Sequence, residues 1–224
     1  MMNRTMGEYS VVIPVDHVRL HGNLVVPDRA TGLVIFAHGS GSNRFSPRNE
    51  LVARLLQEEG LATLLMDLFQ EKEAQNHYRT FNIDRASFRV RGATEWAKTV
   101  PELRTLPIGY FGSNTGAAAA LQAASLNPKE VAAIVCRGGR LDLTAAQLSQ
   151  VTAPTLLIVG GKDAEVLDLN HEALGRLTCP KQLVLVPGAH HLFGEPGALE
   201  EVAHLALQWF QKYLPGGEGQ SADS

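Results

Sequence analysis

Six short apolar runs punctuate the chain: Leu33 to Ala37, Ala62 to Met66, Pro107 to Phe111, Val131 to Cys136, Thr155 to Val159 and Gln182 to Val186. Continuous runs of this length, bounded by turn residues, suit strands covered on both faces, because a half-exposed strand would alternate apolar with polar positions. Between the runs the pattern changes to a helical period. Leu51, Val52, Leu55 and Leu56 precede Gly60, with Ser46 placed as the amino-terminal cap and Pro47 at the first helical position. After Pro196, the residues Leu199, Val202, Leu205, Ala206, Trp209 and Tyr213 fall on one stripe that should close a face of the sheet. Thr115 to Ser125, with alanine at each position from Ala117 to Ala120, is apolar on nearly every side and belongs inside a packed layer. Ahead of all these, Ser10 to Pro14 and Arg19 to Val26 read as an antiparallel pair at the sheet edge, turning near Asp16 and His17. The pattern predicts an α/β fold with a mostly parallel central sheet of about eight strands and helices on both faces.

Composition narrows the possible roles. The chain has 224 residues, 45% hydrophobic and 19% charged, which predicts one domain over residues 1–215 with ample material for a core. Gly216 to Ser224 is small and polar and is expected to be a disordered tail. A formal net charge of -3 with scattered basic residues gives no reason to expect nucleic acid or an anionic membrane as partner. No run approaches the ~20 apolar residues of a membrane span. Met1 to Ser10 lacks the continuous apolar core of a secretory signal, so the expected location is cytoplasmic. Cys136 and Cys179 lie on separate segments without CxxC spacing, which predicts reduced thiols and no zinc site. The neighbouring His190 and His191 diverge as adjacent side chains do, and no HxxxH pattern accompanies them, so no metal is expected. Small-molecule chemistry without a cofactor is what remains.

One five-residue stretch bears on that chemistry. Gly112-Ser113-Asn114-Thr115-Gly116 has the Gly-x-nucleophile-x-Gly frame of a sharp strand-to-helix turn that lifts one side chain above the end of a sheet. Asparagine stands at its centre. A carboxamide has no proton whose removal by a histidine would unmask a nucleophile, so acyl-enzyme chemistry at Asn114 is not expected. Asparagine does tolerate positive φ better than most residues, so the turn should survive. Ser113 precedes the apex and should point elsewhere. The open readings are a natural non-catalytic protein, a Ser-to-Asn variant of an active one, an aspartate nucleophile replaced by its amide, and, least favoured, action by Ser113.

Four stretches occur in a telling order: Phe36-Ala37-His38-Gly39-Ser40-Gly41, the elbow at 112–116, Gly160-Gly161-Lys162-Asp163, and Pro187-Gly188-Ala189-His190-His191-Leu192-Phe193. With these the chain, from about Tyr9 to Leu214, resembles the α/β-hydrolase superfamily and, within it, the small cap-less dienelactone hydrolase-like group. The resemblance implies an α/β-hydrolase fold with no separate cap domain, acting on carboxylic ester, lactone or thioester bonds. It implies Asn114 at the nucleophile position, Asp163 as the acid and His191 as the histidine, 49 and then 28 residues apart in the superfamily's chain order. It also implies an oxyanion hole from the backbone N–H groups of Thr115 and Ser40. Asp163 would also serve well as a helix cap, the less favoured reading, and Asp168 is a weaker candidate for the acid. His38 reads as structural and His190 as solvated or supporting. The Gly39-x-Gly41 pair is no dinucleotide fingerprint, since Arg44 stands where the third glycine belongs. The long polar stretch from Phe69 to Asn82 leaves a strand's carboxyl end, where ligands bind in such sheets, so Phe69, His77, Tyr78 and Phe81 are candidates to face a substrate. A solvated connection is the rival reading. Arg48, Arg137 and Arg140 are candidates to hold a substrate carboxylate.

Overall fold

The computed structural model describes residues 6–70, 73 and 82–214. His77, Tyr78, Phe81 and the tail 216–224 lie outside the described residues. Eight strands form one sheet: β1 (Met6–Val15), β2 (Val18–Pro27), β3 (Leu33–Ala37), β4 (Ala62–Met66), β5 (Ile108–Ser113), β6 (Ala133–Arg137), β7 (Thr155–Gly160) and β8 (Lys181–Val186). Their order across the sheet is β1-β2-β4-β3-β5-β6-β7-β8. β1 with β2 and β2 with β4 pair antiparallel, and the remaining pairs are parallel. The edge hairpin turns through Asp16 and His17 alone, with Val15 opposite Val18 and Asp16 at φ 51°, as a two-residue hairpin loop requires.

Five of the six apolar runs are the inner strands; the sixth, Gln182 to Val186, is β8 at the sheet edge, where only Val186 is buried, so it is not covered on both faces as its pattern predicts. Every residue of β3, β4, β5, β6 and β7 is buried, as expected for strands covered on both faces. On one face, α1 (Pro47–Glu58) and the last helix, α5 (Ala198–Tyr213), pack Val52, Leu56, Val202 and Phe210 over Phe36 and Phe111. Those two rings lie 4.9 Å apart between β3 and β5. On the other face lie α2 (Ile83–Thr99), α3 (Thr115–Leu126) and α4 (Ala164–Arg176), with two 3-10 turns at Leu141–Thr144 and Leu148–Gln150 that the hydrophobic pattern does not announce. Among the described residues no separate cap domain covers the carboxyl ends of the strands.

α3 shows why alanine and glycine fill the segment after the elbow. All its residues but Leu126 are buried, and the helix is pressed between the sheet and α2. A Cβ added at Gly116 would stand 2.1 Å from the Ala37 carbonyl oxygen, and one at Gly112 would stand 2.4 Å from Ala117 Cα. Neither contact can be relieved by turning a side chain, because the obstacles are backbone atoms. Gly116→Ala is therefore expected to lower stability by about 3 kcal/mol or more, the upper range for an overpacked core. Gly175→Ala, in α4 with nothing within 4 Å of the added carbon, should be neutral or gain up to about 1 kcal/mol. Urea unfolding midpoints of the two variants check the contrast, and equal midpoints would contradict the close-approach argument.

Candidate active site

β5 ends at Ser113 and α3 begins at Thr115, so a single residue, Asn114, makes the whole reversal. Its backbone sits at φ 53°, ψ -123°. Positive φ was expected, but this ψ lies far from the left-handed helical region that asparagine tolerates. It matches the first central position of a type II′ turn, where glycine is the usual occupant. Strain of about 1–3 kcal/mol is normal for such a residue and persists only where neighbours over-determine it. Here they do: Asn114 N donates to Arg137 O at 3.1 Å, and Asn114 O accepts from Ala117 N at 3.1 Å and Arg140 N at 3.2 Å.

The Asn114 carboxamide joins a continuous chain of hydrogen bonds. Its Nδ2 lies 2.9 Å from His191 Nε2, and His191 Nδ1 lies 2.7 Å from Asp163 Oδ2. An amide nitrogen only donates, which makes Nε2 the acceptor and puts the imidazole proton on Nδ1, facing the carboxylate. Asp163 occupies the cap position of α4, yet its side chain makes no capping bond. Its oxygen goes to the histidine instead. Asp168 is exposed on α4, and His190 turns away to Glu195 at 2.5 Å. Ser113 is buried at the end of β5.

Both backbone donors expected of an oxyanion hole are already engaged. Thr115 N donates to Asn114 Oδ1 at 2.7 Å, and Ser40 N donates to Thr115 Oγ1 at 2.8 Å. The side chain at the apex thus bridges an N–H that would face a substrate oxygen and a histidine that would take a proton. Gly39 is required beside it, because a Cβ there would meet Asn114 Cβ at 2.9 Å. His38 is buried; Leu68 N donates to its Nε2 at 2.9 Å, and its Nδ1 donates to Gly39 O at 2.9 Å. It ties the glycine loop to the end of β4.

Phe69 does not reach the site. It is buried in the core, and Arg89 lies over its ring at 5.6 Å. Arg89 is itself fixed by Glu73, which accepts from its Nη1 at 2.8 Å and its Nη2 at 3.0 Å. Burial pushes the Glu73 carboxyl up, but the hydrogen bonds and charge of Arg89 outweigh it and hold the group below the usual carboxylate range. Nothing in the local pattern announced this anchor, since its two halves are 16 residues apart. Arg140 is spent on Asp142, with contacts of 2.9 and 2.8 Å. Arg48 and Arg137 do reach the site. They line a cavity of about 110 Å³ together with Asn114, His191, Ser42 and Ser46. Ser46 precedes α1 as predicted, but its hydroxyl does not cap the helix, so the capping pattern concealed a cavity residue. Among the described residues no group of three or more His, Cys, Asp or Glu side chains is placed to hold a metal ion, and no helix is long and apolar enough to cross a membrane.

Comparison with known proteins places these residues in a family context. Residues 20–214 match the family described as the dienelactone hydrolase family. A dienelactone hydrolase crystal structure from Anabaena variabilis is 51% identical, with a TM-score of 0.90 over 93% of this chain and 99% of that one. Two Mycobacterium tuberculosis proteins, from strains CDC 1551 and H37Rv and provisionally named phosphoribosyl transferases, are 50% identical over 216 residues, 96% of this chain but 49% of each relative. The chain thus spans about half the length of those curated relatives. A Pyrococcus furiosus esterase shares the fold at 16% identity, with a TM-score of 0.75 over 93% of this chain and 92% of that one.

The buried His38 gives a pH dependence. Burial holds its imidazole pKa below the ordinary value, only partly opposed by the Gly39 carbonyl and the Asp67 charge. The unfolded chain therefore binds this proton more tightly. The stability tied to neutral His38 is fully present above the unfolded pKa of about 6.5 and is lost as pH falls below it. His38→Gln should be less stable than the parent at pH 7.5, with a shallower decline between about pH 6.5 and 5. Urea unfolding across that range tests it, and an unchanged slope would show that His38 does not carry the dependence.

Proposed function

The chain belongs to the dienelactone hydrolase family, and on that premise we propose that its scaffold is built to hydrolyse carboxylic ester, lactone or thioester bonds, with Asn114 leaving this chain inactive or severely impaired. The observation that carries the reading is the hydrogen-bonded line from Asn114 through His191 to Asp163, at 2.9 and 2.7 Å, on an elbow backbone. A hydroxyl at position 114 would present its proton to His191 Nε2. The imidazolium formed would be stabilised by Asp163, and attack on a substrate carbonyl would place the developing oxyanion toward Thr115 N. Asn114 supplies none of the first step. Its oxygen also holds the Thr115 N–H that a substrate oxygen would need.

The same satisfied arrangement supports a second reading, in which the pocket binds a small carbonyl or carboxylate ligand without turnover. The Asn114 carboxamide favours it, because it supplies no proton for His191 to remove, while Arg48 and Arg137 line the same cavity. Neither reading uses a cofactor, a nucleic acid or a membrane, and we place both in the cytoplasm.

Asn114→Ser separates the two. Under the hydrolase reading it should hydrolyse short p-nitrophenyl esters on the order of 10² faster than the parent and become labelled by a fluorophosphonate, since it restores a nucleophile and frees one oxyanion donor. Adding Thr115→Val, which removes the hydroxyl that Ser40 N donates to, should raise the rate further. No turnover and no labelling in either variant would overturn the hydrolase reading. A thermal shift of the parent chain with carboxylates or esters would then support the binding role, and silence across that panel would count against it.

A further inference from the structure

Two arginines beside the elbow lack the partners that buried arginines need. Arg137, at the end of β6, is 8% exposed, and Phe111 lies 5.9 Å from its Cζ. Its Nη1 is buried without a hydrogen-bond partner, and so is Nε of Arg48 on α1. Neither side chain forms an ion pair among the described residues. Burial, with the charge of Arg48 added, pushes the Arg137 pKa down to about 10, which still leaves it charged at neutral pH. A buried charge without a partner costs several kcal/mol, so an arrangement that brings two like charges together is costly unless something fills the space between them.

The surroundings suit an anion with more than one charge. Among the described residues no aspartate or glutamate lines the cavity; Asp163 is on the far side of His191, bonded to Nδ1. Ser42 and Ser46 line it as well, and the Ser46 hydroxyl is not used as a cap. Ser46 also marks the amino end of α1, whose dipole favours negative charge there. At about 110 Å³ the cavity holds a compact group and not an extended one. A carboxylate would balance one guanidinium, whereas a doubly charged tetrahedral oxyanion balances both.

We propose that Arg48 and Arg137, with Ser42 and Ser46, form a binding site for the phosphate group of a small phosphorylated ligand, immediately beside Asn114 and His191. The proposal deepens the reading of this cavity as the ligand site, yet it requires no turnover. A ligand held there would present its remaining atoms to the elbow, so the phosphate would select which ester or carbonyl compound enters.

Isothermal titration calorimetry of the full chain with inorganic phosphate and with acetate, at matched ionic strength, tests it. Phosphate should bind and should also raise the melting temperature, with acetate at least about tenfold weaker. Arg48→Gln, a half-buried position, should weaken phosphate about tenfold through loss of one charge-assisted contact, and Arg137→Gln by at least as much if it folds. Arg104→Gln, an exposed control, should change nothing. Acetate binding as tightly as phosphate, no phosphate heat above a chloride control, or an Arg48→Gln variant with the affinity of the parent would each overturn the proposal. Ester turnover by Asn114→Ser does not enter that outcome. A chain that binds phosphate but stays inert as the serine variant would refute the hydrolase reading alone, and an active serine variant indifferent to phosphate would refute this one alone.

Discussion

The site depends on how closely α3 approaches the end of β3. Gly116 lets the first turn of that helix lie against the Ala37 and His38 carbonyls, and Gly112 lets the preceding strand lie against Ala117. With both contacts made, the chain has one residue in which to reverse, and that residue takes a backbone conformation most side chains avoid. Three backbone hydrogen bonds from β6, α3 and the following loop hold it there. The other functional side chains reach it from the carboxyl ends of β3, β6, β7 and β8, which the parallel order places side by side.

Within that frame, Asn114 behaves as a plug that fits. Its oxygen takes the Thr115 N–H, its nitrogen takes His191, and His191 keeps Asp163. A serine would leave the Thr115 donor open and offer a transferable proton, while the carboxamide closes the first and lacks the second. Asp163 and His191 are thus held in one hydrogen-bonded line with the Asn114 carboxamide.

The charge distribution next to the plug is of a different kind. Several arginines near the carboxyl ends of the strands are paired: Arg89 and Arg85 with Glu73, Arg44 with Asp67, Arg140 with Asp142. Arg48 and Arg137 form no ion pair among the described residues and line the cavity beside the elbow. Burial without neutralisation makes this corner an electropositive pocket, and its small volume rewards compact anions.

The local pattern determined a good deal by itself. Apolar runs without alternation suited strands covered on both faces, which holds for five of the six, and the α/β order followed. The flanking glycines marked the elbow, and the resemblance to the α/β-hydrolases implied that Asn114, Asp163 and His191 form one cluster. Other features depended on partners distant in sequence. Phe69 looked like a pocket wall because it opens a polar stretch, but Arg89 on α2, fixed by Glu73, encloses it in the core. Ser46 and Asp163 both looked like helix caps; one lines a cavity and the other orients a histidine, a choice made by what lies 28 residues away in the case of Asp163. That Arg140 is neutralised while Arg48 and Arg137 are not was equally invisible. Periodicity and backbone chemistry act over a few residues and can be read along the chain, whereas pairing of charges and closure of a site are set by distance in space, and only the folded sheet fixes those distances.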